Sequence, residues 1–158
     1  MHSRIIELGN APILPDDRMG ECSVPEWFDH SIADYTNAET DRDEDLKWFL
    51  EIVAHIVDVA EDGESFTFKP NAKKKYFHRQ YYAFLDKVRE LTGISIEAFC
   101  AETPYDIGMA MYKLNEAYQD KFSFYIYYQD KLKTLDEWIR ETDLSESFYF
   151  GGTLDYHF

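Results

Sequence analysis

The hydrophobic period changes along this chain, and that change restricts the folds open to it. Residues 121–129 (KFSFYIYYQ) alternate, with Phe122, Phe124, Ile126 and Tyr128 on one face, the repeat of a β-strand. Upstream the apolar residues recur every three or four positions. Leu46, Phe49, Leu50, Val53, Ile56, Val57 and Ala60 make one stripe, which predicts a helix from Asp41 or Asp43 to about Ala60. Phe77, Tyr81, Phe84, Val88 and Leu91 predict a second, opened by Pro70-Asn71 and closed by Thr92-Gly93. Ile107, Met111, Leu114 and Tyr118 predict another over 104–118, after Thr103-Pro104.

Shorter elements fill the gaps. Residues 3–8 (SRIIEL) read as a strand and 9–22 as a loop, because Pro, Gly and Asp-Asp suit turns. Ser23-Val24-Pro25-Glu26 has the form of a capping box, opening a short helix with Val24, Phe28, Ile32 and Tyr35 on one face. Residues 36–42 are a polar connection, and Phe66 and Phe68 alternate with Ser65, Thr67 and Lys69 as a strand. Ser95-Ile96-Glu97 starts a short helix, and Thr134-Leu135-Asp136-Glu137 caps another to about Arg140. At the C-terminus SFYF and TLDYHF flank Gly151-Gly152, which reads as a hairpin. The expected class is α+β, one domain over 1–158, with a mostly antiparallel, C-terminal-rich sheet packed against several helices.

Charge is distributed unevenly over this pattern. Residues 1–66 hold 17 Asp/Glu against four Lys/Arg, a net −13, while 67–158 hold 14 against 12, a net −2. At 45% apolar the chain is too hydrophobic for a disordered acidic tail, so the charge belongs to a folded surface. Such a surface attracts basic partners and repels nucleic acid. Cys22 and Cys100 have no disulfide or CxxC spacing, the start MHSRIIELGN has no signal-like apolar core, and no apolar run is long enough for a membrane span. The expectation is a cytoplasmic protein with free thiols and no membrane association.

The densest acidic cluster is Asp41, Asp43, Glu44 and Asp45. A calcium loop is excluded, since Leu46 and Ile52 occupy the positions of its Gly and bidentate Glu. Carboxylates in a first helical turn complement the helix dipole, and in solvent they also suit partner binding. Glu51, His55 and Asp58 follow at i, i+4 and i+7, and His30 and Asp34 at i, i+4; either set has the spacing of metal ligands. The segment 69–82 interleaves Lys69, Lys73, Lys74, Lys75 and Arg79 with aromatics, as single-strand binders do. Its aromatics lie on a core seam, however, and the molecule carries −15, so neutralisation of the acidic half is preferred to nucleic-acid contact. Tyr125 and Tyr127 lie opposite Phe124 and Ile126 and are candidate aromatic anchors. No nucleophile elbow, zincin, dinucleotide or phosphate-loop motif occurs.

The sequence thus points to an acidic inhibitor or accessory protein that covers the basic surface of a nucleic-acid-handling partner, such as a nuclease, without a cofactor. Its partner-binding residues are expected among Asp41, Asp43, Glu44, Asp45, Glu51, Asp58, Asp62, Tyr125 and Tyr127. In kind this is similar to antirestriction, anti-CRISPR and toxin-immunity proteins, a likeness of composition that covers no motif. The alternative is a metal-dependent or small-molecule enzyme using Glu51, His55 and Asp58 or His30 and Asp34.

Overall fold

Strand β7 (Ser147–His157) organises the α+β fold seen in the computed structural model, which describes residues 1–101 and 105–158. The expected hairpin does not form: β7 is one eleven-residue strand. One of its edges pairs with β1 (His2–Gly9) over nearly its whole length, and the other pairs with β4 (Ser65–Phe68) at its start and β2 (Tyr35–Asn37) at its end. β3 (Val57–Val59) continues the sheet beyond β4. On the other side β5 (Tyr125–Tyr128) lies parallel to β1 and β6 (Lys131–Thr134) antiparallel to β5. The order is β3-β4-β7-β1-β5-β6, and among the described residues only the β1–β5 pairing is parallel.

Gly151-Gly152 is a bulge rather than a turn. Ile6 pairs with Thr153 and Leu8 with Phe150, so both glycines oppose Glu7 alone. The extra residue inverts the alternation of β7. Phe148 and Phe150 share a face with Thr153 and Asp155, while Leu154 and Tyr156 point to the opposite one. The Glu7 side chain fills the space the glycines leave: its Oε2 accepts hydrogen bonds from Gly152 N (2.6 Å) and Met19 N (2.9 Å). A Cβ on Gly151 would lie 2.6 Å from Glu7 Cγ, so the side chain and the glycine require each other.

Two cores follow from this inversion. On the first face Phe66 and Phe150 pack against Phe49 of α2 (Arg42–Val53), and Phe148 stacks on Phe66 and meets Trp138 of α6 (Leu135–Glu141). On the second, Ile5, Tyr125, Leu132, Leu154 and Tyr156 pack against Met19 and against Phe28 of α1 (Glu26–Ser31). Thr134 and Glu137 form the expected capping box of α6.

Other boundaries differ from the sequence reading. α2 stops at Val53, because Val57 and Val59 instead pair with Phe68 and Phe66; β-branched residues gain more there than in a fourth helical turn. Pro25, without a side-chain cap, precedes α1, and Ser23 Oγ accepts from Gly20 N instead. Tyr35 belongs to β2, stacked on His157 with ring centroids 5.3 Å apart.

The chain divides into two compact units, Met1–Lys73 with Phe122–Phe158, and Lys74–Lys121. The first contains the sheet. The second contains most of α3 (Ala72–Thr92), together with α4 (Ile96–Phe99) and α5 (Tyr105–Tyr118). The predicted start of α5 at Thr103-Pro104 lies outside the described residues. Among the described residues no helix is long and apolar enough to cross a membrane.

Candidate functional site

Arg42, the first residue of α2, builds the acidic end of the sheet unit. Between β4 and β2 the edge of β7 lacks a partner strand, and the Arg42 guanidinium occupies that gap. Its Nε donates to Gly151 O (2.8 Å) and its Nη2 to Phe150 O (3.3 Å) and Glu64 (2.8 Å). One side chain therefore fixes the start of α2 and the turn between β3 and β4 against the central strand. Asp41 caps α2, accepting from Asp43 N and Glu44 N at 3.1 Å each. In the facing turn Asp62 Oδ1 accepts from Glu64 N (3.0 Å), and Gly63 takes a positive φ of 73°.

An open groove of about 600 Å³ lies between these elements, with Leu46 and Leu50 of α2 and Ala54 just past its end as its apolar floor. Asp43, Glu51, Asp62 and Glu64 rim it, opposed by Lys47 and by Arg42, which is already engaged. Asp43 has a long 3.7 Å approach to Arg42, and Glu64 is ion-paired to it. Glu44 and Glu51 are exposed along the outer side of α2. Between them stands Trp48, 40% exposed, with the Arg4 guanidinium 5.4 Å from its ring centroid. Ile52, one turn on, is also exposed.

Asp41, Asp43, Glu44, Glu51 and Asp62 thus come together at one end of the sheet unit, while Asp58 sits on β3, ion-paired to Lys69 at 3.6 Å. Three expected residues do not belong to this surface. Asp45 is buried: it ion-pairs with Arg4 and accepts from Thr153 Oγ1 at 2.9 Å. Its spacing to Phe49 and Val53, one turn and two turns on, was a legible sign of an inward position. Tyr125 is buried too, edge-on to Phe28 and Tyr156. Tyr127 is half-buried and donates to Asp130 Oδ1 (3.1 Å); burial pushes its phenol above the usual range. Trp48 is the aromatic group that the acidic surface presents, and its exposure depends on the exact rotation of α2.

The metal-ligand spacings do not survive folding. With α2 ending at Val53, Glu51 is helical, His55 lies in the following turn and Asp58 is on a strand. His30 pairs with Glu26 (3.6 Å) and Asp34 with His157 (3.0 Å), so His30 and Asp34 turn to different partners. Among the described residues no three His, Cys, Asp or Glu side chains converge on a common point for an ion.

The charge segregates by unit more sharply than by position in the chain. Residues 1–73 and 122–158 together hold nine Lys/Arg and 24 Asp/Glu, a net −15; residues 74–121 hold seven of each, a net charge of zero. Lys73 directs its ammonium to Arg140 O (2.8 Å) and Thr142 O (3.5 Å), backbone carbonyls of the sheet unit. Comparison with known proteins finds no family model, no curated protein and no solved structure that matches the chain.

Proposed function

We propose that the chain is an acidic binding protein, an inhibitor or accessory factor that covers the basic, phosphate-receiving surface of a nucleic-acid-handling partner. One observation carries this reading: the sheet unit holds the whole net charge of −15, and the carboxylates of its α2 end stand exposed. The field steers encounter with a basic surface, raising association rates by about 10–10³ at low salt. Asp43, Glu44, Glu51 and Asp62 then take the places of phosphates. Trp48 supplies a rigid anchor of the kind that dominates interface energetics, and Leu46, Leu50 and Ala54 receive the aliphatic stems of Lys or Arg.

The test is affinity capture at about 50 mM and about 500 mM salt, with duplex DNA as competitor. The wild type is compared with the triple variant Asp43→Lys, Glu44→Lys, Glu51→Lys. These three side chains are exposed, so circular dichroism should find the fold unchanged. The expected result is recovery of basic nucleic-acid-binding proteins at low salt, released by high salt, by DNA or by the triple substitution. Capture indifferent to all three refutes the proposal.

A further inference from the structure

The 74–121 unit is an antiparallel pair of helices whose apolar seam is not closed. Gln80 of α3 donates to Tyr118 O of α5 (2.8 Å), the Phe84 and Tyr118 rings lie 6.0 Å apart, and Leu91 meets Ile107 across a cleft at the far end. Those contacts run in opposite senses along the two helices. Yet no described residue of 74–121 is buried. Tyr81 and Met111 share the helical stripes of Phe77 and Phe84 and of Ile107 and Leu114, and are 56% and 60% exposed. At the far end an apolar cleft of about 470 Å³, lined by Leu91, Ile94, Ile96, Phe99 and Ile107, lies open, and Ile96 and Phe99 stand 67% and 69% exposed beside it. Helices draw most of their stability from a buried apolar face, and this pair has only half of one.

We infer that a second copy of this chain covers the seam, two helix pairs joining antiparallel as a four-helix bundle. Charge selects that occupant. The half of the unit made by 74–85 and 110–121 holds five Lys/Arg and two Asp/Glu, a net +3; the described residues of 86–109 hold two and four, a net −2. Antiparallel pairing about a two-fold axis sets the positive half of each copy against the negative half of the other, twice over. The unit is neutral as a whole, so the contacting surfaces add no net repulsion of their own. Tyr81, Ile96, Phe99 and Met111 each expose on the order of 100 Å², and with the half-covered Phe84, Val88, Leu91, Ile107 and Leu114 they approach the roughly 800 Å² per partner of a stable interface. The inference does not rest on the proposed function, since it involves no residue of the α2 surface.

Analytical ultracentrifugation of the full chain tests it. The wild type should be dimeric at tens of micromolar. Phe99→Asp with Met111→Asp, both exposed, should weaken association at least 30-fold while leaving the far-ultraviolet spectrum unchanged. Two charge variants then test the electrostatic pairing: Lys74→Glu with Lys75→Glu, and Glu90→Lys with Asp106→Lys. Each should be monomeric alone, and an equimolar mixture should restore the dimer. A wild type monomeric at about 0.5 mM overturns the inference, with another occupant left to cover the seam. Charge variants that dimerise as well alone as mixed overturn the charge pairing that selects a second copy.

Discussion

Gly151 and Glu7 are coupled through one small volume. Alanine at 151 would place its Cβ 2.6 Å from Glu7 Cγ, in the bulge where β7 pairs with β1. Gly151→Ala should cost about 2–3 kcal/mol by overpacking. Glu7→Ala should cost about 2–5 kcal/mol, because the N–H groups of Met19 and Gly152 lose their carboxylate acceptor. The double variant should cost clearly less than the sum, since removing the Glu7 side chain makes room for the new methyl. Urea unfolding of the cycle measures this, and strict additivity would refute the coupling. Asp45 and Asp43 offer a second comparison, two positions apart on one helix. Asp45→Asn disrupts a buried ion pair with Arg4 and should cost about 3 kcal/mol. Asp43→Asn, exposed, should stay within about 0.5 kcal/mol. The acidic run was visible in the sequence; which carboxylate turned inward was settled by its period with Phe49 and Val53.

Elements defined by local signals were legible, and those defined by a distant partner were not. β4 alternates within itself, β1 and β5 carry short apolar or aromatic runs rich in strand-forming residues, and α3 and α6 carry their own breakers and caps. β2, β3 and β6 are three or four residues long and exist because β7, β4 and β5 pair with them. Gly151-Gly152 misleads for the same reason: its role is set by Glu7, 144 positions away in the chain. The β5–β6 connection suits a direct test. Its central residues, Gln129 and Asp130, hold φ of 50° and 58°, the left-handed pair of a type I′ turn without the glycine that favours it. Gln129-Asp130→Asn-Gly should stabilise the protein by about 0.5–1 kcal/mol, less whatever the Tyr127–Asp130 hydrogen bond contributes. A lower urea midpoint would refute that account of the turn. The end of α6 is tied to β6 by Lys133, which holds the Glu141 carboxyl below its ordinary range. A depressed carboxylate contributes stability above its unfolded pKa, and that contribution is lost as pH falls through the lower folded value. Carboxyl NMR titration should place Glu141 below the ordinary range, and Lys133→Met should return it upward.

At the scale of the whole molecule, topology completes a charge separation that the linear sequence shows only in part. The sequence places −13 in its first 66 residues and −2 in the remainder. Residues 122–158 return to the sheet through β5, which lies parallel to β1, and bring seven more Asp/Glu against three Lys/Arg. The neutral remainder is the helix pair. Such concentration has a thermodynamic consequence, because like charges on one compact body repel more in the folded state than in the expanded chain. Added salt screens this repulsion between exposed carboxylates but acts weakly on the buried Arg4–Asp45 pair. Raising ionic strength from about 20 mM to about 200 mM at neutral pH should therefore raise Tm by a few degrees. The Asp43→Lys, Glu44→Lys, Glu51→Lys variant, in which each reversal removes one negative charge and adds one positive, should begin with a higher Tm at low salt and rise less. Scanning calorimetry of both proteins at both salt concentrations decides the point. Equal slopes would place the repulsion away from α2, and a Tm that falls with salt would show that surface ion pairs, rather than repulsion, dominate the electrostatics of this fold.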